Sequence, residues 1–179
     1  MPLPSTNPLK RHKHGTVLIE TGTYKGDGVR AALDAGFDTV YSIELDDSLF
    51  LDAKNAFADD RRVHIVHGDS AVRLSEILDA LPERSDVTLW LDAHASGPLK
   101  YDGGTPLLSE IRTVASSSRA GNINTAKILI DDCRLLGSWE WNRVGKNDLL
   151  EALETLPYSY RISYEDGHVP EDIMVITPV

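Results

Sequence analysis

The fold of this chain is decided by the stretch Thr16-Val-Leu-Ile-Glu-Thr-Gly-Thr-Tyr-Lys-Gly-Asp-Gly-Val-Arg30. An apolar, β-prone run leads there directly into a glycine-rich turn, and a helical pattern follows the turn. We expect Gly22, Gly26 and Gly28 to let a ligand lie against the main chain, because glycine has no Cβ and adopts positive φ without strain. Asp27 is expected to cap the following helix. The stretch therefore predicts a strand, a ligand-binding loop and a helix.

The length of 179 residues suits one domain, predicted over residues 15–179 after an irregular arm at residues 1–14. The net charge of −10 argues against nucleic acid as a partner, because the surface would repel phosphate groups. The basic run Lys10-Arg-His-Lys-His14 is interpreted as a solvated tail, with a substrate-guiding arm as the alternative. The single cysteine, Cys133, and the absence of a signal-like or membrane-spanning run predict a cytoplasmic protein without a membrane partner.

Strand and helix patterns alternate along the rest of the chain. After the first strand, the predicted strands are Thr39–Glu44, Arg61–His67, Val87–Asp92, Lys127–Asp131, Tyr158–Tyr164 and Asp172–Thr177. The predicted helices are Val29–Ala35, Asp46 or Asp47 to about Phe57, Gly68–Leu81, Pro106–Ser116 and Lys146–Leu156. We expect Ala93–Thr105 to be a loop of functional length and Ser116–Ala126 to be a mobile polar segment.

This alternation predicts an α/β fold with a doubly wound, mostly parallel sheet of seven strands, similar to the Rossmann fold. The link between the last two strands is too short for a crossover helix, so these strands should form an antiparallel C-terminal hairpin. Ligands of such sheets bind outside the carboxyl ends of the strands. The acidic residues considered below all fall at those ends.

Glu44 ends the second predicted strand. In a doubly wound sheet, a carboxylate at this position accepts hydrogen bonds from two ribose hydroxyls, which predicts a nucleoside ligand. The alternative is that Glu44 begins a capping network with Asp46 and Asp47.

Three carboxylates follow two further strands, namely Asp92 after the fourth strand and Asp131 and Asp132 after the fifth. If these strands pair, they lie about 4.8 Å apart, and the carboxylates would raise one another's pKa. A hard cation such as Mg²⁺ or Ca²⁺ would neutralise them. The alternative is that Asp132 caps a turn, Asp131 bonds to the backbone and Asp92 contacts only the cofactor.

The spacing Glu20-x-Gly22-x-x-x-Gly26-x-Gly28 resembles motif I of the class I S-adenosylmethionine-dependent methyltransferases. Asp92 with Asp131 and Asp132 resembles the metal site of the divalent-metal-dependent O-methyltransferases, the branch with catechol and macrolide-sugar enzymes. This resemblance implies a Mg²⁺ site, or a site for another hard divalent cation, at Asp92, Asp131 and Asp132. The cofactor contacts that it implies are Glu20, Gly22, Thr23, Gly26, Gly28, Glu44, Leu45, Asp69, Ser70 and Asp92. In this family an acidic residue at the position of Asp69 often meets the adenine amino group, whereas an N-cap of the next helix is the alternative.

His94 lies two residues beyond Asp92 and is the predicted catalytic base, acting beside Asp92. Catechol-type enzymes usually have a lysine near this position, and a surface histidine is the alternative. Trp139 and Trp141 are predicted either to wall an acceptor site or to pack as a latch.

The predicted function is Mg²⁺-assisted transfer of a methyl group from S-adenosylmethionine to a small hydroxylated acceptor, with a homodimer as one expected assembly. One alternative is an NAD-dependent oxidoreductase, although its fingerprint has the spacing Gly-x-Gly-x-x-Gly. The other is a nucleoside- or metabolite-binding protein without catalytic activity.

Overall fold

The computed structural model describes residues 7–94 and 105–179. Seven strands and six helices are present in that part of the chain, together with a 3₁₀ turn at Cys133–Leu135. In chain order they are α1 (Pro8–His12), β1 (Val17–Thr21), α2 (Asp27–Asp34), β2 (Thr39–Glu44), α3 (Asp47–Ala56), β3 (Val63–His67), α4 (Ser70–Ala80), β4 (Ser85–Leu91), α5 (Leu107–Ala120), β5 (Ile123–Ile130), α6 (Lys146–Leu153), β6 (Tyr160–Glu165) and β7 (Ile173–Pro178).

The strands form a single sheet in the order β3-β2-β1-β4-β5-β7-β6. Strands β1 to β5 are parallel to one another, whereas β7 is antiparallel to both β5 and β6. The α/β fold with a doubly wound, mostly parallel sheet and an antiparallel C-terminal hairpin is therefore confirmed. The order also shows that β7 inserts between β5 and β6.

The core consists of two apolar layers, one on each face of the sheet. Side chains of successive strand residues point to opposite faces, so that Leu18 packs in the layer with α1 and α2, and Ile19 packs in the layer with α4, α5 and α6. Both residues are fully buried. In the described ranges, 7–94 and 105–179, no helix has the length and apolar character that crossing a membrane requires.

The N-terminal segment differs from the predicted irregular arm, because residues 8–12 form α1 and pack against the domain. Leu9 is buried in the layer with α2, and Lys10 pairs with Asp34 at 2.9 Å. Arg11 and His12 both contact the carboxylate of Glu165 on β6. The basic run is thus held by acidic side chains that are distant in sequence, and the prediction of a solvated tail is wrong for these residues.

The predicted mobile segment at residues 116–126 is also wrong, because α5 continues to Ala120 and β5 begins at Ile123. Ser117 lies on the buried face of α5, in line with Val114, so that the helical periodicity continues through the serines. The polar start of β5 is held by Asp86, whose Oδ1 accepts hydrogen bonds from the Thr125 hydroxyl at 2.7 Å and from the Asn124 amide group at 2.9 Å.

The N-terminus of α2 differs from the prediction as well. The N-cap is Gly26, whereas Asp27 is the first helical residue and makes no capping bond. The carboxylate of Asp27 instead pairs with Arg30, one turn along the helix, at 3.1 Å.

Candidate functional site

The predicted site residues meet at the carboxyl edge of the sheet, because β1 lies between β2 and β4, and β5 follows β4. The backbone N–H of Asp92 donates to Thr21 O at 3.1 Å, and that of Asp131 donates to Leu91 O at 3.1 Å. These two bonds continue the parallel ladders beyond the strand ends. They hold the loops after β1, β4 and β5 side by side.

The loop after β1 is fixed by its own backbone and by a buried chain of hydroxyls. Gly22 N and Thr23 N both donate to Ile43 O, at 3.0 and 3.2 Å. The Thr23 hydroxyl lies 2.6 Å from the Ser42 hydroxyl, which in turn donates to the carboxylate of Glu20. The loop is therefore tied to β2, the strand that carries Glu44.

Two of the glycines in this loop are required by protein atoms. Gly22 has a φ of 87°, and a Cβ there would lie 2.8 Å from Asp92 O. A Cβ on Gly28 would lie 1.7 Å from Oε1 of Glu20, so that a larger residue would displace this carboxylate. Close packing on Asp92, after β4, and on Glu20 accounts for Gly22 and Gly28 within the protein, and a contact of Gly22, Gly26 and Gly28 with a ligand stays a prediction.

Glu20 lies below the loop and is only 2% exposed. Burial raises the pKa of its carboxyl to about 8, and the hydrogen bond from Ser42 opposes this shift. Its contacts are with Ser42 and Gly28, so its position is that of a support beneath the loop.

Glu44 is 7% exposed at the end of β2 and uses both carboxylate oxygens. Oε2 accepts from Tyr24 N at 2.8 Å, and Oε1 accepts from Asp46 N at 2.9 Å. Asp46 is itself the N-cap of α3, which matches the capping alternative. Each carboxylate oxygen can accept a second hydrogen bond, so Glu44 retains the capacity to bind two hydroxyls. Leu45, the next residue, is half exposed beside it.

Asp69 and Ser70 form the corner between β3 and α4. Asp69 is the N-cap of α4, and its Oδ1 accepts from Ala71 N at 2.9 Å. Ser70 is buried. The capping alternative therefore describes what Asp69 does within the protein, and a contact with a ligand stays a prediction.

The acidic residues after β4 and β5 lie together around His94. Its Nε2 lies 2.7 Å from Asp132 Oδ2 and 3.4 Å from Asp92 Oδ1. The donor atoms of Asp92, His94 and Asp132 all lie within 4.8 Å of one another, and those of Asp131, Asp132 and Asp172 form a second such group. The predicted set of Asp92, Asp131 and Asp132 is thus spread over two overlapping groups that share Asp132.

The charges of this cluster are only partly compensated. Arg134 Nη1 contacts Asp132 Oδ1 at 2.5 Å and also contacts the carboxylate of Asp172, which is 1% exposed. Hydrogen bonds from His94 and Arg134 lower the pKa of Asp132. Asp131 and Asp92 have no ion pair with Arg134, and Asp92 lies 3.4 Å from His94 Nε2, so the charges of these two carboxyls are less well compensated than that of Asp132.

Asp92 and Asp131 show the effect of this incomplete compensation. Burial and the adjacent Asp131 raise the pKa of Asp92 well above its ordinary value. Burial raises the pKa of Asp131 to about 6, although its Oδ1 accepts from Asp132 N at 2.8 Å. Asp92 Oδ1 is shielded from solvent and makes no hydrogen bond in the described part of the chain. A proton or a cation at this atom would stabilise the cluster.

The two tryptophans have different environments. Trp141 is fully buried, contacts the edge of the His94 ring at 5.2 Å between centroids, and donates from Nε1 to Asp132 O at 3.3 Å. This matches the packing alternative for Trp141, which fixes His94 and Asp132. Trp139 is 56% exposed on the same turn, and its contact with an acceptor stays a prediction.

Three charged residues of this region were missed by sequence reasoning: Glu110, Arg134 and Asp172. The signal for Glu110 is its position on the apolar stripe Leu107, Ile111 and Val114 of α5, where a charged residue is unexpected. Arg134 and Asp172 meet only because β7 inserts beside β5, which the order of the sequence does not reveal.

Neither protein-family models nor the sequences of curated proteins match this chain. Solved structures do resemble it. A methyltransferase from Podospora anserina bound to SAH (S-adenosylhomocysteine) has 15% identity and a TM-score of 0.59, with 96% of this chain and 75% of that chain covered. An O-methyltransferase from Bacillus cereus in complex with SAH has 13% identity and a TM-score of 0.60, with 98% and 81% covered.

Spermidine synthase from Thermotoga maritima is similar as well, with 13% identity, a TM-score of 0.56, and 96% of this chain and 55% of that chain covered. At such identities the likeness concerns the fold, and one fold can serve several reactions. The chain therefore has the Rossmann-like fold of these SAH-bound methyltransferases, and its reaction has to be argued from the site.

Proposed function

We propose that this protein is an S-adenosylmethionine-dependent methyltransferase that methylates a hydroxyl oxygen of a small acceptor, assisted by Mg²⁺ or a similar cation. The observation that carries the proposal is the shielded Oδ1 of Asp92, which makes no hydrogen bond to the described residues and lies 3.4 Å from His94 Nε2, in an acidic cluster beside the loop that follows β1. The similarity to an O-methyltransferase and to a second methyltransferase, both bound to SAH, supports the choice of cofactor.

The residues at the edge of β1 and β2 fit an adenosine group. Glu44 still has lone pairs for two hydroxyls, and the loop that follows β1 is held in place by Ile43 O and Ser42. S-Adenosylmethionine would supply the methyl group, with its ribose on Glu44 and its base near Leu45, Asp69 and Ser70.

The acidic cluster fits a hard cation through carboxylate oxygens, because Asp92 Oδ1 makes no hydrogen bond within the described ranges and Asp131 has a raised pKa. Asp92, Asp131 and Asp132 would hold the ion, and His94 lies beside them as the base. When bound, such an ion lowers the pKa of a hydroxyl that it contacts.

His94 is the proposed base. Its Nε2 lies between Asp132 Oδ2 and Asp92 Oδ1, and Trp141 packs against its ring. S-Adenosylmethionine, when bound, would supply its methyl group to the acceptor oxygen and leave as S-adenosylhomocysteine, while His94 would take the acceptor's proton. Asp132 stabilises the imidazolium that results, in the way that an aspartate orients and stabilises a catalytic histidine in hydrolases. The exposed ring of Trp139 would receive the apolar side of the acceptor.

The test combines binding and turnover. Isothermal titration calorimetry with SAH and with NAD separates the methyltransferase from the oxidoreductase, and transfer of a labelled methyl group to a panel of phenols and sugars separates an enzyme from a binding protein. Binding of NAD without SAH would overturn the proposal. SAH binding without turnover across the panel would favour a non-catalytic nucleoside-binding protein.

The metal is tested separately by dialysis against EDTA and return of Mg²⁺. We expect the methylation rate to fall at least tenfold and to recover. The Asp92→Asn and Asp131→Asn variants should lose turnover but keep their affinity for SAH, while Asp52→Asn, an exposed change on α3, should behave like wild type. Full turnover in the presence of EDTA would refute the cation and leave the methyl transfer standing.

A further inference from the structure

Glu110 is a buried carboxyl that the proposed reaction does not use. It lies in the first turn of α5, on the same face as Leu107 and Ile111, and is 0% exposed. Its side-chain oxygens face the hydroxyls of Thr21 and Ser70, but neither contact has the geometry of a full hydrogen bond. A buried carboxylate without partners is costly, so the position calls for an explanation.

The groups that face Glu110 come from the ends of neighbouring elements. The hydroxyls of Thr21, at the end of β1, and Ser70, at the start of α4, both favour its ionised form, whereas Asp69 disfavours that form by charge repulsion. Asp69 is the charged side chain that faces it, and in residues 7–94 and 105–179 no lysine, arginine or histidine pairs with Glu110. Burial is the largest effect and raises the pKa of Glu110 to about 7.

Both hydroxyls belong to segments of the proposed cofactor site. Thr21 Oγ1 accepts a hydrogen bond of 3.4 Å from Asp92 N, so the proton of this hydroxyl is available to Glu110. Ser70 follows Asp69, the N-cap that begins α4. Glu110 therefore stands where α5, the end of β1 and the β3–α4 corner meet.

We propose that Glu110 is a positioning residue of the nucleoside site, which bridges the hydroxyls of Thr21 and Ser70 and thereby holds the Asp69–Ser70 corner against the end of β1. This role rests on the proposed function in so far as the corner contacts the adenosine group. Glu110 acts through the corner and does not itself contact the cofactor.

The bridge depends on the proton of Glu110. A neutral carboxyl donates one hydrogen bond and accepts another, so it can join both hydroxyls without a buried charge. An ionised carboxyl would be buried beside Asp69 without a cation, and the corner would open to let water reach it. The intact corner is therefore fully favoured below about pH 4.5, the ordinary range of the carboxyl, and it loses stability progressively until the pH reaches about 7, where the loss levels off.

Calorimetric titration with SAH at pH 6, 7 and 8.5 tests the effect on binding, with wild type, Glu110→Gln and Glu110→Ala. For wild type we expect the affinity to fall by up to about tenfold between pH 6 and 8.5, because the intact corner loses stability until the pH reaches about 7. Glu110→Gln should bind like wild type at pH 6 and keep that affinity at pH 8.5. Glu110→Ala should bind weakly throughout, and equal pH profiles for wild type and Glu110→Gln would overturn the proposal.

Hydrogen exchange without any ligand makes the test independent of the proposed function. The amide of Ala71, which donates to Asp69, should lose protection in wild type between pH 6 and 8.5, after correction for the intrinsic exchange rate, but not in Glu110→Gln. Failure of wild type to bind SAH at every pH would refute the cofactor, while the exchange data would still decide the role of Glu110. Identical protection in the two proteins would refute the positioning role even if SAH binds.

Discussion

Replacing Glu20 with glutamine should make the protein less stable than wild type at pH 5 and more stable than wild type at pH 9. Glu20 is 2% exposed, and its pKa is about 8 in the folded protein against 4.5 for the ordinary carboxyl. Below about pH 4.5 the group is protonated in both states and has no effect. As the pH rises, the folded state must either keep the proton or bury the charge, so stability is lost progressively and levels off above pH 8.

The size of this effect follows from the two pKa values. At about 1.4 kcal/mol for each pH unit, Glu20 lowers the free energy of unfolding by about 3 kcal/mol at pH 7 and by about 5 kcal/mol at pH 9. Glutamine has no titration, but its amide group would be left without an acceptor beside Gly28, at a cost of about 1 to 3 kcal/mol at every pH. Glu20→Gln should therefore be less stable than wild type at pH 5 and more stable at pH 9.

Urea unfolding at pH 5, 6, 7, 8 and 9 measures this difference. Other buried carboxyls, such as Glu110, also titrate in this range, but they contribute to both proteins and largely cancel in the comparison. Asp52→Asn, which changes an exposed carboxyl, is the matched control and should follow wild type at each pH. A difference between Glu20→Gln and wild type that stays constant from pH 5 to 9 would refute the burial of a titrating carboxyl beneath the loop.

Three further substitutions test the site and its supports. Glu44→Ala should weaken SAH binding by about a hundredfold or more, since two hydrogen bonds to a charged group are lost; calorimetry measures this, and unchanged affinity would remove Glu44 from the site. Gly28→Ala should lower the melting temperature because the new methyl group meets Glu20 Oε1, and the added change Glu20→Ala should restore part of the loss; a simple sum of the two effects would contradict this contact. Leu9→Ala should lower the free energy of unfolding by about 2 to 5 kcal/mol and expose α1 to trypsin at Lys10 and Arg11. If this variant resists trypsin as well as wild type does, α1 is not docked through Leu9.

The fold was largely predictable because parallel strands covered on both faces read as apolar runs. The segments of β1, β2 and β4 have this character, and their alternation with helical patterns restricts the topology. The docking of α1 was not predictable, because a helix of five residues has little stability of its own and depends on Leu9 and on the distant carboxylate of Glu165.

The candidate site was predictable to the extent that it follows from strand ends. Glu44, Asp92 and Asp131 each follow or end a parallel strand, and neighbouring ends meet at one edge of the sheet. Two features escaped this rule. Asp172, just before the antiparallel strand β7, joins the cluster, and Glu110 approaches Asp69 from a helix, so only the three-dimensional arrangement relates them to the other acidic residues.

The insertion of β7 between β5 and β6 has a consequence for synthesis of the protein on the ribosome. β6 emerges first but has β7 as its neighbour in the sheet, and β7 in turn pairs with β5. While residues 173–178 are still inside the ribosome, the nascent chain therefore exposes the edge of β5 and leaves β6 unpaired. Such an edge is a template for aggregation, so brief pauses in translation at this point would be the most hazardous for the newly made chain.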